Sequence, residues 1–292
     1  MTVRLTLAAL FAVAAAMAYP WQSVPDRWLL GVSVAVVIVL FARWRGAFLT
    51  TVVGRRLAML LRRGRIRTPG TSDEYATVTL RIEPRMTAEL PLDLAAGYLD
   101  RYGISFDKVR ITSRDVAGTG VTWVGLTLGA ADNVAALSAR SARIPLRDTA
   151  ELAGRRLADH LREAGWEVVV DDTPDAPVSA SATERWRGVD DGQGFLVAYR
   201  ITVDERLDET LSAVRAADAA ETWTVVEFTG SRTRPALAAV CVLRTSQRPG
   251  ARAPLAGLTP EHGRHAAALA ASAPGSHRRL LGAATPIPLS RT

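Results

Sequence analysis

Two apolar runs open the chain, Val3 to Tyr19 and Trp28 to Ala42, and they constrain it more than anything that follows. The first carries one charge, Arg4, and the second carries none. A hydrocarbon core of about 30 Å takes about 20 helical residues to cross. Both runs fall short of that, so each needs its flanks. Tyr19, Trp21, Trp28 and Trp44 stand at the ends of the runs, where aromatic belts belong. Arg43 and Arg45 follow the second run, where long side chains reach back to lipid headgroups. The stretch Pro20 to Asp26 between the runs is a turn with two helix-breaking prolines. The sequence therefore predicts a transmembrane helical hairpin over residues 1–48.

A cleavable signal peptide competes with that reading, because Arg4, an apolar run and Ala16-Met17-Ala18 imitate one. Pro20 directly after the cut, and a second apolar run with a basic exit, weigh for the uncleaved hairpin. Orientation follows from charge. Arg4 and the α-amine make the N-terminal end basic and residues 43–67 hold eight arginines and no acid, whereas the turn between the runs is near neutral. The positive-inside bias then puts the N-terminus and the main domain in the cytoplasm and the hairpin in the inner (plasma) membrane.

Residues 49–70 read as a basic juxtamembrane helix and linker. Arg55/Arg62 and Arg56/Arg63 repeat at seven residues on one face, with Val53, Leu57, Leu60 and Leu61 on the other. Such a helix lies in the headgroup layer or continues the second span onto a partner. Pro69-Gly70-Thr71-Ser72 marks the linker.

The formal charge of +7 resembles a nucleic-acid signal until it is divided. Residues 68–245 hold 20 basic and 27 acidic side chains, so the core is acidic and its flanks are basic. A phosphate-binding core needs the reverse, and nucleic acid is excluded as a partner.

From 71 to 245 strands and helices mix. Thr77–Ile82 alternates as a strand, and Leu94–Tyr102 reads as a helix closed by Gly103. Lys108–Thr112 and Val121–Leu128 form a hairpin, and Ala131–Ser141 a helix. Asp148 and Glu151 have capping-box spacing at the head of the clearest helix, whose stripe is Ala153, Leu157, Leu161 and Ala164. Trp166–Val170, Gly194–Val203, Thr222–Thr229 and Ala236–Arg244 are strands, with a helix at Leu207–Ala217. Strand–helix–strand–strand thus occurs twice, a hint of duplication, and the fold class expected is α/β with a mixed sheet. Residues 246–292, rich in Pro, Ala and Arg, read as a tail whose first part docks and whose remainder is mobile.

The chemistry-bearing residues are few. There is no Gly-x4-Gly-Lys-Ser/Thr loop and no Gly-x-Ser-x-Gly elbow. Gly118/Gly120 and Gly192/Gly194 belong to turns. Cys241, the single cysteine, lies among apolar neighbours and reads as core. His262 and His265, beside Glu261, have His-x-x-His spacing, but in the tail and without supporting residues, so no metal is assigned. His160 borders an apolar stripe. Asp171, Asp172 and Asp175 follow one strand and Asp190 and Asp191 precede another, the places where a transferase holds a metal diphosphate. Their Thr/Pro/Ser/Gly surroundings read as solvated turns instead. No catalytic residue, metal or cofactor is therefore expected.

The strings Gly97 to Ile104, Asp107 to Thr112, Ala139 to Leu146, Gly154 to Glu163 and Glu227 to Ser231, together with the opening Ala18 to Gln22, resemble the EccE family. These are membrane components of the type VII (ESX) secretion system, and the short form of the third, iron-linked ESX locus is nearest. The likeness runs from the first span to about Leu258. It implies a non-catalytic structural subunit that scaffolds an inner-membrane complex with EccB, EccC and EccD, EccC being the ATPase. No family residue is catalytic, so none is carried over. The competing reading is a membrane-anchored transferase-like enzyme using the aspartate-rich loops.

Overall fold

The computed structural model describes residues 2–17, 19, 23–41, 43–44, 47–61, 73–83, 92–139, 141, 144–178 and 182–286. The chain divides into two compact units, Met1–Arg63 and Gly64–Thr292.

In the first unit, helix α1 (Thr2–Met17) packs on α2 (Val24–Phe41). Small residues lie in the contact: Ala15 and Ser33 are buried, while Leu10, Met17, Trp28 and Ile38 point outward. At 1.5 Å per residue the helices, of 16 and 18 residues, rise about 24 and 27 Å. Among the described residues no helix is long and apolar enough to cross a membrane. The helices thus stand where the sequence puts them, short of a full bilayer crossing. A two-residue hairpin, β1 (Arg43–Trp44) with β2 (Ala47–Phe48), leads into α3 (Leu49–Leu61). The expected basic helix is thus present to Leu61; Arg62, Arg63 and the linker at 69–72 lie outside the described residues.

Among the described residues the second unit is built on one twelve-stranded sheet. Its strands are β3 (Tyr75–Ile82), β4 (Asp100–Arg101), β5 (Ile104–Val116), β6 (Thr119–Gly129), β7 (Val168–Val170), β8 (Thr183–Arg185), β9 (Gly188–Asp190), β10 (Phe195–Ile201), β11 (Glu221–Ser231), β12 (Arg234–Thr245), β13 (Leu258–Pro260) and β14 (Thr285–Pro286). The order is β7-β3-β6-β5-β11-β12-β10-β9-β8, with β4 on β5, β13 on β10 and β14 on β12. Every pairing is antiparallel, which corrects the mixed sheet expected from sequence. Strand–helix–strand order implied a parallel crossover, but β6 folds back between β3 and β5 and separates them.

The helices are α4 (Leu92–Ala96), α5 (Val134–Ser138), α6 (Leu146–Glu163), α7 (Leu207–Arg215) and α8 (His265–Ser272). Helix α6 covers the first half of one face, against Val78, Leu80, Leu126 and Leu128, and α7 covers the second half. Leu157 and Leu161 are fully enclosed there, each stabilising the fold by roughly 2 kcal/mol. The α6 N-terminus departs from expectation. The helix begins at Leu146 behind Pro145 with no side-chain cap, so Asp148 lies inside its first turn. Glu151 pairs with Arg147 at 3.0 Å and Arg155 at 3.8 Å instead of closing a capping box. The helix expected over Leu94–Tyr102 stops at Ala96, since Asp100 and Arg101 pair as β4 with the start of β5.

The two βαββ halves are related by the sheet itself. The order β3-β6-β5-β11-β12-β10 reads the same from either end once each half is matched to the other. Setting the second hairpin on the first, Thr119 on Arg234 and Val116 on Ser231, carries Ile111 onto Val226. Those two residues are direct partners across the central β5–β11 pair.

The tail corrects a second expectation. Residues 246–286 pack on the second unit instead of moving freely: β13 extends the sheet beside β10, α8 is buried, and β14 lies beside β12. Alanines at 268, 270 and 271, with Leu269, make α8 a close-packing helix despite its lack of bulky side chains.

Candidate functional site

Alternation along β5 and β11 turns Val109 and Ile111 toward α6 and α4, and sends Lys108, Arg110, Glu221, Trp223 and Glu227 to the opposite face. That face carries charges because the C-terminal segment closes over it. Arg110 donates from Nε and Nη2 to Glu227 Oε2, from Nη1 to the carbonyls of Ala273 (2.9 Å) and Ser276 (3.3 Å), and from Nη2 to that of Arg278 (2.6 Å). Lys108 Nζ donates to the same Arg278 carbonyl and lies 3.7 Å from Glu227. Glu227 Oε1 accepts from the Leu280 amide at 2.9 Å. All three side chains are essentially removed from solvent. Burial, and then the neighbouring Arg110, pull the Lys108 ammonium down to about 7, against the opposing pull of Glu227. The carbonyl of Pro274 comes so near β6 that a side chain at Gly125 would meet it at 3.1 Å.

A second charged ladder continues along the same face. Glu221 accepts from Arg114 Nε (2.6 Å) and Arg244 Nε (2.6 Å); Arg114 also binds Asp175 (2.8 Å) and Arg244 binds Asp191 (2.7 Å). Burial alone raises the Glu221 carboxyl, but the two guanidiniums outweigh it and hold it below the usual carboxylate range. Trp123 and Trp223 stack across the ladder with centroids 5.8 Å apart, and the Trp123 indole donates to Asp171 at 2.9 Å.

The structure thus brings Asp171, Asp175 and Asp191 to one face, and binds each of them to a protein donor. Asp190 takes Arg185 and the Gly192 amide, both at the long end of hydrogen bonding, while Asp172 is exposed. Among the described residues no group of three or more His, Cys, Asp or Glu is arranged to hold a metal. His262 stacks on Trp186 and meets His265 edge-on; His265 is fully buried and its Nδ1 accepts from the Ala198 amide at 3.3 Å. These histidines clamp α8, whose first turn is held by Glu184 accepting from the Ala266 amide at 3.0 Å. His160 Nδ1 lies 2.6 Å from the Tyr98 hydroxyl. Cys241 is buried and its thiol is pushed up to about 12 by burial.

Chemically this face is a clasp: its donors and acceptors close on backbone and side chains of the same chain. Sequence reasoning missed Lys108, Arg110 and Glu227. The available signal was charge alternating with β-branched residues in strands otherwise built for a core.

Residues 116–201 match the family model described as "Putative type VII ESX secretion system translocon, EccE". The "ESX-3 secretion system protein EccE3" of Mycolicibacterium smegmatis is 56% identical over 288 residues, covering 99% of this chain and 93% of that protein. The proteins of the same description from Mycobacterium tuberculosis strains CDC 1551 and H37Rv are each 52% identical over 289 residues, covering 96% of this chain and 87% of theirs. On that likeness, end to end, the chain belongs to the EccE family of type VII secretion system proteins and is similar to its ESX-3 members.

Proposed function

We propose that this chain is a non-catalytic structural subunit of the inner-membrane type VII secretion complex, scaffolding its assembly with EccB, EccC and EccD. The observation that carries the reading is the likeness to ESX-3 proteins over 288 residues at 56% identity. The clasped face agrees with it, since the clustered polar groups there hold the fold together. The aspartate loops of the transferase reading are engaged by arginines, an indole and turn amides.

In this proposal residues 1–48 are a membrane hairpin and 49–70 a basic juxtamembrane segment. Residues 71–245 form the cytoplasmic domain, and 246–292 is the tail, packed on it over residues 246–286. Outward apolar side chains on the hairpin, such as Val13, Met17, Trp28 and Ile38, favour lipid or partner helices over water. Helices rising about 24 and 27 Å suit a locally thinned bilayer or a packed assembly. Size fractionation of gently solubilised native membranes tests the role. Migration in a large complex with EccB, EccC and EccD is expected; migration as a small free protein would overturn it. Topology has a clean test, because the single cysteine, Cys241, is buried. A membrane-impermeant maleimide should label Ser23→Cys in intact cells and Arg155→Cys only after lysis. The reverse pattern sinks the cytoplasmic assignment.

A further inference from the structure

We infer that the corner around Tyr102 is a docking surface for an acidic segment of a partner protein, whose carboxylate is received by Arg101 and Arg156. The surface deepens the subunit role proposed above and rests on it. Strands β4 and β5 are joined by Tyr102-Gly103, both at positive φ (59° and 72°). That turn favours Gly, Asn or Asp, and a tyrosine in it is strained. The strain is not repaid by burial, because Tyr102 stays 41% exposed.

Its surroundings are built to present it. The Arg156 guanidinium lies 4.3 Å from the ring centroid and that of Arg101 5.7 Å; Arg101 also lies 5.0 Å from the Tyr98 ring. Tyr98 is buried beneath, edge-on to Tyr102. The Asp100 carboxylate anchors the hairpin by accepting from the Arg232 amide at 2.7 Å. Elsewhere on α6, Arg147, Arg155 and Arg162 are paired with acids. Among the described residues Arg101 and Arg156 have no carboxylate partner and lie against rings instead. Beside them is a cavity of about 240 Å³ lined by Tyr102, Ile104, Leu152, Ala153 and Arg156 together with Asp148 and Thr149, Leu152 being 49% exposed.

An exposed tyrosine, two guanidiniums that no carboxylate pairs with and an adjoining, partly apolar recess form the composition of an interface hot spot. The charge asks for a carboxylate, which arginine receives in its planar fork. The recess asks for a neighbouring apolar side chain. Anionic lipid is the poorer occupant: two guanidiniums at the corner fall short of the roughly four to eight clustered cations by which a surface holds to a charged bilayer.

The test uses the full-length chain in its native membranes. A photoreactive benzoylphenylalanine replaces Tyr102, and adducts are mapped by mass spectrometry. In parallel, co-purification of partner subunits is compared for the wild type, Arg156→Glu, Arg156→Lys and the control Arg155→Glu, with melting temperature as the check on folding. The expected adduct lies in an Asp/Glu-rich segment of another protein. Arg156→Glu should lower co-purification about tenfold, Arg156→Lys less, and Arg155→Glu less than about twofold. Changing the mapped partner carboxylate to arginine should restore binding to the Arg156→Glu chain. Adducts to lipid, adducts to a segment without acids, or an Arg156→Glu chain that binds within about twofold of wild type each overturn the surface while leaving the subunit role standing. A wild-type chain that purifies alone overturns the subunit role itself, and the surface with it.

Discussion

At Glu227 one carboxylate faces two buried cations, and the balance among the three decides how firmly the sheet is closed. Glu227→Gln leaves Lys108 and Arg110 without their counter-charge inside the protein, a loss of about 3–5 kcal/mol. Denaturant unfolding followed by the emission of the stacked Trp123 and Trp223 measures it; a loss below about 1 kcal/mol would show that the cluster is solvated in solution. Lys108 adds a pH dependence. Its folded-state value, about 7, lies below the ordinary 10.5, so above pH 7 the unfolded chain binds more protons than the folded one. Stability should therefore rise as pH climbs from about 7, by on the order of 1–2 kcal/mol up to pH 8.5, and Lys108→Met should abolish the rise. Equal slopes in wild type and variant would refute the assignment. None of this was legible beforehand: the strand at Lys108–Thr112 was, but which residues would face it across the sheet depends on long-range register.

At the scale of elements, sequence periodicity located most of the second unit and misjudged what closes it. Helix α6 was readable from its apolar stripe, whereas its start was not, because Asp148 and Glu151 have capping spacing one turn inside the helix. Its fit on β3 was equally hidden. A methyl at Gly154 would stand 2.6 Å from Val78 Cγ1, so helix and strand meet at a glycine. Gly154→Ala should cost about 1–3 kcal/mol, and Val78→Ala should recover part of that in the double variant; additive losses in a double-mutant cycle would disprove the close approach. The tail escaped detection because its burial is achieved by alanines and by carbonyls given to Arg110. Counting large apolar residues registers neither. Deleting residues 265–292 should uncover Trp123 and Trp223, shifting their emission to the red and opening β5 and β11 to protease. A deletion variant with native emission would place α8 outside the core.

For the molecule as a whole, the duplication hinted at by repeated strand–helix–strand–strand order becomes a two-fold arrangement about Ile111 and Val226. One contact layer therefore serves both halves, with Val226 packed into the clusters on either side. Val226→Asp should unfold the two halves together in a single transition, and two separated transitions would show that they are independent. For the first unit the sequence alone located the two helices α1 and α2, whose apolar runs are continuous and need no long-range register to be read.

The clasp also sets an order of events during synthesis. Arg110 and Glu227 are made well before Ala273, Ser276, Arg278 and Leu280, the residues that satisfy them. A nascent chain that has left the ribosome through β12 carries a nearly complete sheet with one charged, aromatic face still open to water. Helices α1 and α2 have left the ribosome long before that moment, so the first unit is complete ahead of a domain that finishes folding only when the last segment swings across.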